Sequence, residues 1–258
     1  MRNMYKYCHV QREDKLLIVT LDRPEVLNSL NAPACFELDE IFNDFERDST
    51  LWIAILTGAG DRAFCAGHDL ADAPDAPMPP SGWAGLAERP GRTKPLIAAV
   101  NGLAMGGGFE IALACDIVIA DSKSTFAMSE PRVGAVALGG GAQRLALRLP
   151  CAIAMGMLLT GRRFDAAEAH RWGLVTELAA PGQTMQVARR WAEEILMCAP
   201  LAVQMTRGLA LEALEGPELS ELIRRRRLEG AARLLATEDT KEGIRAFLEK
   251  RKPVWRGR

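Results

Sequence analysis

Histidine is scarce: His9, His68 and His170 are the only three. So few imidazoles leave little material for a histidine-built metal site or a Ser-His-Asp triad. The six cysteines, Cys8, Cys35, Cys65, Cys115, Cys151 and Cys198, form no CxxC pair and have no metal-ligand spacing. They read as scattered reduced thiols of a cytosolic protein, with no metal expected. Charge of neither sign is in excess. With 32 Lys and Arg against 33 Asp and Glu, the net charge of −1 gives no electrostatic ground for nucleic acid or an anionic membrane as partner. No Gly-x-x-x-x-Gly-Lys-Ser/Thr loop occurs, which argues against a P-loop nucleotidase. The first ten residues contain no apolar h-region and no small-residue cleavage site, so the expected location is the cytoplasm.

One apolar stretch, residues 96–120, is long enough to span a bilayer and carries the small-xxx-small pair Gly102 and Gly106. Asn101, Glu110, Asp116 and a glycine triplet interrupt it, so it reads as buried strand, glycine turn and buried helix, with no membrane partner. The 258 residues, 48 % apolar and 25 % charged, suit one domain with a helical extension. Leu16-Leu-Ile-Val-Thr-Leu21 and residues 51–57, 96–100 and 115–120 read as strands. Residues 33–47, with Phe36, Leu38, Ile41, Phe42 and Phe45, and residues 106–114 read as helices. Asp165-Ala-Ala-Glu168 is a capping-box-like helix start with Gly173 as its stop, and the chain reads mostly helical from Thr184 onward. Strands alternating with helices, then helices alone, predict an α/β core with a helical C-terminal part. The prolines at 74, 77, 79 and 80 make residues 69–92 a mobile loop, which either covers a site or merely connects elements. Arg224 to Arg227 fit a solvated helix face or a subunit contact better than a phosphate site.

Gly58-x-Gly60-x-x-Ala63 follows a strand, as a dinucleotide fingerprint would. The fingerprint must open a helix, yet these glycines lead into Arg62-Ala-Phe-Cys-Ala-Gly67, which has no helical period. The acid about 20 positions on, Asp75, falls in the proline-rich loop. A nicotinamide or flavin cofactor is therefore not expected.

Two segments share another design. Phe64-Cys-Ala-Gly-His-Asp-Leu70 follows one buried strand, and Asn101-Gly-Leu-Ala-Met-Gly-Gly-Gly-Phe-Glu110 follows another. Each is a small-residue turn expected to expose backbone N–H groups at or near a helix start. Such fixed dipoles suit a developing oxyanion because they need not reorganise. With these segments the chain resembles the enoyl-CoA hydratase/isomerase (crotonase) family. Leu21-Asp-Arg-Pro-Glu-Val-Leu-Asn-Ser-Leu-Asn31 resembles its first CoA-contact loop, and the two glycine segments resemble its oxyanion-hole segments. Phe126-Ala-Met-Ser-Glu-Pro-Arg-Val-Gly134, Gln143-Arg-Leu145, Thr160-Gly-Arg-Arg163 and Trp172-Gly-Leu-Val175 follow in family order, and the likeness covers nearly the whole chain.

The resemblance implies a crotonase-like spiral of β-β-α turns over residues 1–199 and a C-terminal helical oligomerisation region over 200–258, in homo-trimers or hexamers. It implies Glu110 and Glu130 as catalytic glutamates and the N–H groups of His68 and Gly107 as an oxyanion hole. Val26, Leu27, Ala66, Gly67, Asp69, Leu70 and Gly106 would contact the acyl-CoA substrate. CoA enters as part of that substrate and no cofactor is implied. The implied activity, set in fatty acid metabolism, is hydration of 2-enoyl-CoA thioesters or the reverse dehydration. Hydration needs a water held between two carboxyl groups, one taking its proton and the other supplying a proton at C2. Other readings stand beside these. Glu110 could pair with an arginine, Glu130 could be a helix-start residue, and Asp69 could cap a turn. His68 replaces a small residue usual in the family, and its ring would face the pocket, pack or face solvent. Residues 135–141 depart from the family turn that shapes the acyl pocket. An enoyl-CoA isomerase or a carnitinyl-type dehydratase stays open, since the C-terminal third resembles carnitinyl-CoA dehydratases too. A non-catalytic CoA-ester binding or assembly protein is the rival from another class.

Overall fold

The structure, a computed structural model, describes residues 5–69, 71–72, 76–89, 91–214 and 236–258. Leu70, Asp75 and the Arg224–Arg227 run lie outside them. The chain opens with an antiparallel pair, Cys8–Glu13 (β1) and Leu16–Leu21 (β2). Only β2 is an apolar run. Strand β1 alternates polar residues at the sheet edge, so apolar content does not reveal it. Asn31 then accepts a hydrogen bond from Ala34 N and caps Ala32–Arg47 (α1). Leu38, Ile41, Phe42 and Phe45 bury one face of this helix, whereas Phe36 lies on the other side and is exposed.

From here the chain winds as a spiral. Ile53–Gly58 (β3), Leu96–Val100 (β5) and Ile117–Asp121 (β7) extend the sheet of β2 in parallel. Each is followed by a three-residue strand in a second sheet: Ala63–Cys65 (β4), Leu103–Met105 (β6) and Thr125–Ala127 (β8). Gly107–Ala114 (α2) closes the middle turn. Phe164–Asp165 (β9) pairs antiparallel with β8, and Glu177–Ala179 (β10) pairs parallel with β7. The larger sheet has the order β1-β2-β3-β5-β7-β10 and the smaller β4-β6-β8-β9. The α/β expectation therefore holds, with two differences. Strand β3 starts at Ile53 rather than residue 51, and β7 starts at Ile117 rather than 115. After Gly58 the chain enters β4 and not a helix, which removes the dinucleotide fingerprint.

The larger sheet is covered on both faces, as parallel sheets are. Leu17, Val19 and Leu21 face the cluster that holds Phe42, Phe45 and Phe109. Leu16, Ile18, Ile53, Ile55 and Ile97 pack on the opposite face with Ala188 and Ala192 of Thr184–Leu196 (α6). Phe109 of α2 meets Phe126 and Phe164 at ring centroid distances of 5.2 and 5.6 Å, which pins α2 to the second sheet. Gly141–Arg148 (α3), Cys151–Thr160 (α4) and Ala166–Arg171 (α5) follow β8. Asp165 caps α5 as the capping pattern predicts, accepting from Glu168 N. After α6 come Pro200–Leu214 (α7) and Glu238–Leu248 (α8). Among the described residues no helix is long and apolar enough to cross a membrane. All six cysteines are free, and burial pushes the Cys65 and Cys115 thiols up to about 12, far from thiolate chemistry.

The C-terminus of α1 has an internal cation. Lys94, only 4 % exposed, donates from Nζ to Phe45 O at 2.5 Å and Asp48 O at 2.7 Å. It satisfies carbonyls that the helix end leaves open and opposes the negative end of the helix dipole. Lys94→Met strands both carbonyls, so we expect a loss of about 2 kcal/mol, read as a lower denaturant midpoint. An unchanged midpoint would show that water replaces the ammonium.

Candidate active site

A cavity of about 490 Å³ opens where the loop after β4, the start of α2 and the segment after β8 converge. The loop after β4 is fixed by a parallel bridge to Leu30. Leu30 N donates to Gly67 O at 2.8 Å and Asp69 N to Leu30 O at 2.9 Å. The His68 N–H falls between these two bonds and takes no part in them. This loop does not start a helix within the described residues, contrary to the expectation for the first glycine segment. The second segment does. Gly106, at φ +51°, turns the chain from β6 into α2 while its N–H donates to Ala127 O at 2.8 Å. Gly107 is the first residue of α2, so its N–H lies outside the intrahelical ladder.

The two loops touch through glycine. A Cβ at Gly67, where φ is +97°, would lie 2.8 Å from Met105 O and 3.1 Å from Gly107 N. Only a residue without a side chain permits that approach. At Gly107 a Cβ would lie 2.6 Å from the Trp83 indole. Thus His68 N and Gly107 N belong to adjoining main-chain segments at one cavity wall.

Both glutamates line the cavity. Glu110 sits in the first turn of α2, is 4 % exposed, and accepts through Oε1 from Gly141 N at 2.9 Å. Burial raises its pKa, against the opposing pull of the Gly141 and Gly139 amides and the Arg144 charge. Glu130 opens a 3-10 turn, Glu130–Val133, as its sequence before proline suggests. Burial raises its pKa too, and the Glu110 charge adds to the rise. Its Oε2 is buried without a hydrogen-bond partner among the described residues. Glu110 makes no ion pair with a described residue. Arg144 lies near but donates to Gly139 O at 2.8 Å and Ala87 O at 2.5 Å.

The opposite wall comes from residues 76–88, half of the segment that reads as a mobile loop in sequence. Ala84, Leu86 and Ala87 are buried, so this part is packed structure rather than free loop. Arg89 anchors it to α1, donating to Asp39 Oδ1 at 2.8 Å, Asn43 Oδ1 at 2.7 Å and Gly85 O at 2.8 Å. Trp83 projects from it into the cavity, and its Nε1 donates to Gly107 O at 2.9 Å. The His68 ring also lines the cavity, tilted on Trp83 at 5.5 Å.

Of the residues singled out in sequence, Glu110, Glu130, His68, Gly107, Ala66, Gly67 and Gly106 line the cavity. Val26, Leu27 and Asp69 do not. Leu27 O instead accepts from Ala66 N at 3.0 Å, and Val26 is exposed on the adjoining 3-10 turn. Asp69 pairs with Arg23 at 2.9 Å and accepts from Ala71 N, the turn-capping role its type favours. Leu70 lies outside the described residues. Sequence reading missed Trp83, Met78 and Ser129, which line the cavity, and gave Arg144 no role although it stands in a quoted motif. No group of three or more His, Cys, Asp or Glu residues among those described is placed to hold a metal ion.

Comparison with known proteins adds to this geometry. The family model described as enoyl-CoA hydratase/isomerase matches residues 11–258. Over 99 % of the chain and the full length of each relative, the sequence is 43 % identical to the carnitinyl-CoA dehydratase of Citrobacter koseri and 42 % identical to that of Escherichia coli K12. Among solved structures, enoyl-CoA hydratase from Mycobacterium tuberculosis H37Rv superposes with a TM-score of 0.91 at 39 % identity, over 98 % of this chain and 99 % of that one. An enoyl-CoA hydratase from Mycobacterium marinum gives 0.92 at 40 % identity, with the same coverage.

Proposed function

Because the chain belongs to the enoyl-CoA hydratase/isomerase family, we propose that it adds water across the 2,3-double bond of an enoyl-CoA thioester or removes it from the 3-hydroxyacyl-CoA. The observation that carries this reading is one cavity lined by two carboxyl groups of raised pKa and two main-chain segments with uncommitted N–H groups. The thioester oxygen is held by His68 N–H and Gly107 N–H, which stabilise the enolate-like charge as it forms. Water lies between Glu110 and Glu130. One carboxylate takes the proton of the attacking water, and the other carboxyl group delivers a proton to C2. Glu110 is oriented by the Gly141 N–H at Oε1, with the Gly139 amide also acting on the carboxyl group. The test is loss of the conjugated enoyl absorbance of crotonyl-CoA. Rapid loss supports the reading, and failure to bind any CoA ester would sink it.

The reaction needs one carboxyl group ionised and the other protonated. The pair therefore titrates in two coupled steps, and kcat/KM is expected to peak between them and fall on both sides. In Glu110→Gln the like charge beside Glu130 is gone, so the Glu130 titration should move to lower pH. A profile flat across both steps would remove the paired roles.

A second reading, dehydration of a carnitinyl-type thioester, is favoured by the charge of the wall. The residues lining the cavity include three carboxylates, Glu88, Glu110 and Glu130, and no Lys or Arg. Glu88 makes no ion pair with a described residue and lines the cavity together with Trp83. A carnitinyl group carries a quaternary ammonium, which an aromatic face and a carboxylate suit. We expect kcat/KM for the trimethylammonio-substituted crotonyl thioester to exceed that of its neutral tert-butyl isostere about tenfold, with the preference lost in Glu88→Gln. Equal rates for charged and neutral forms would leave the simpler hydratase reading.

A further inference from the structure

Among the described residues, Arg144 is the charged side chain acting on Glu110 for which the proposed reaction has no use. It reaches back from α3 over its own N-terminal turn, and a Cβ at Gly140 would lie 2.3 Å from its Nη1. Nη1 donates to Gly139 O at 2.8 Å, and Nη2 donates to Ala87 O at 2.5 Å. Two residues beyond Gly139, Gly141 N holds Glu110 Oε1 at 2.9 Å. On the other side, Ala87 belongs to the anchored segment whose Trp83 holds Gly107 O at 2.9 Å. One guanidinium thus bridges the turn that grips Glu110 and the wall that grips the start of α2.

Its charge is spent on carbonyls, because Arg144 forms no ion pair with a described residue. The field that reaches Glu110 is therefore not cancelled by a nearer carboxylate. The Arg144 charge acts on Glu110 and the Glu110 charge on Glu130, while Arg148, Arg92 and the Cys115 thiol act on Arg144 in turn. A planar fork presents its donors in fixed, divergent directions to these two carbonyls, a geometry that a single ammonium nitrogen at 144 does not reproduce.

We propose that Arg144 is a positioning residue: it fixes the 139–141 turn against the Trp83 wall and so sets both the orientation and the acidity of Glu110. This rests on the reading of Glu110 as an acid–base group. A lysine at 144 keeps the charge but not the fork, and a methionine keeps only the bulk, so the two variants separate the two effects.

The experiment is carboxyl-carbon NMR titration of Glu110 in the full-length protein, with the signal assigned by its loss in Glu110→Gln. Alongside it run crotonyl-CoA kinetics and the thermal midpoint of each variant. In Arg144→Met the Glu110 titration should move to higher pH and kcat should fall roughly 10- to 100-fold, with KM changing about twofold at most. In Arg144→Lys the titration should return toward the wild-type position while kcat recovers only in part. A Glu110 titration that stays put in Arg144→Met would overturn the proposal, as would a lysine variant no different from the methionine one. If the titration moves as stated but the wild type turns over no CoA thioester, the positioning role stands and the hydratase reading falls.

Discussion

Glu110→Gln and Glu130→Gln should each lower kcat for hydration of crotonyl-CoA by about 10²- to 10⁴-fold, the usual worth of a positioned acid or base. Binding of the thioester should survive, because the contacts proposed for its oxygen are main-chain N–H groups that neither substitution removes. Stability should move the other way. Both carboxyl groups have folded-state pKa values raised by burial, so the native state holds protons more tightly than the unfolded chain. Between the ordinary carboxylate range and the raised value, stability falls as pH rises. A glutamine, neutral throughout, escapes that loss. Glu130→Gln should therefore have a higher thermal midpoint than the wild type at pH 8, with the gap closing as pH falls below the unfolded-state pKa. The comparison is clearest at Glu130, whose Oε2 is buried without a partner among the described residues. A variant that stays active, or one that is less stable at pH 8, would contradict the assigned role.

Gly108→Ala should be nearly as damaging for a different reason. A Cβ at this position would lie 2.0 Å from Cys65 O and 2.8 Å from Cys65 Cβ. Both obstacles belong to the buried end of β4, so relief requires α2 to shift away from that strand. Overpacking of this kind costs about 2 kcal/mol or more, which for a chain of this size lowers the thermal midpoint by about 5 °C. The shift also parts Gly107 N from His68 N, and a displacement near 1 Å in such a site costs about 10²-fold in rate. The same substitution at Gly156 has nothing within 4 Å of the new methyl. That residue lies on an exposed turn of α4, where alanine favours helix, so Gly156→Ala should raise the midpoint slightly. Calorimetry of both variants, with crotonyl-CoA kinetics, checks the contrast. Equal midpoints would mean that the contact between α2 and β4 is not tight.

The long elements are legible in the sequence because their apolar pattern is long. Strands β2 and β5 coincide with the apolar runs to the residue, and α1 starts one residue before its reading. The strands β4, β6 and β8 are invisible to the same method. Each has three residues, too few for a period, and each exists because its turn of the spiral lays it beside the previous one. Phe36 misleads for a related reason, since apolar identity does not say which face of α1 is covered. In the site, Glu110 and Glu130 are legible through the motifs around them. Asp69 and Val26 stand in equally recognisable motifs, yet they turn away to an arginine and to solvent. Trp83 sits among prolines and glycines with no periodic context, and its place follows from long-range contacts such as that with Gly107 of α2, 24 residues further on. Arg144 acts on main-chain oxygens, which every residue has, so no side-chain pattern announces its partners.

The wall at residues 76–88 is tied to the rest of the site by Trp83 Nε1 to Gly107 O and by Arg144 to Ala87 O. In the second tie the wall contributes only a peptide carbonyl, and the residues that hold the turn beside Glu110 sit elsewhere. Wall side chains other than Trp83 can therefore be exchanged without breaking either of these two ties. On the proposed reading, the residues that shape the acyl group's surroundings and those assigned to the chemistry sit largely on different segments, joined at Trp83 and at one peptide carbonyl. If that reading holds, such a division would let the accepted acyl group change by rewriting about a dozen wall positions while the step itself stays the same.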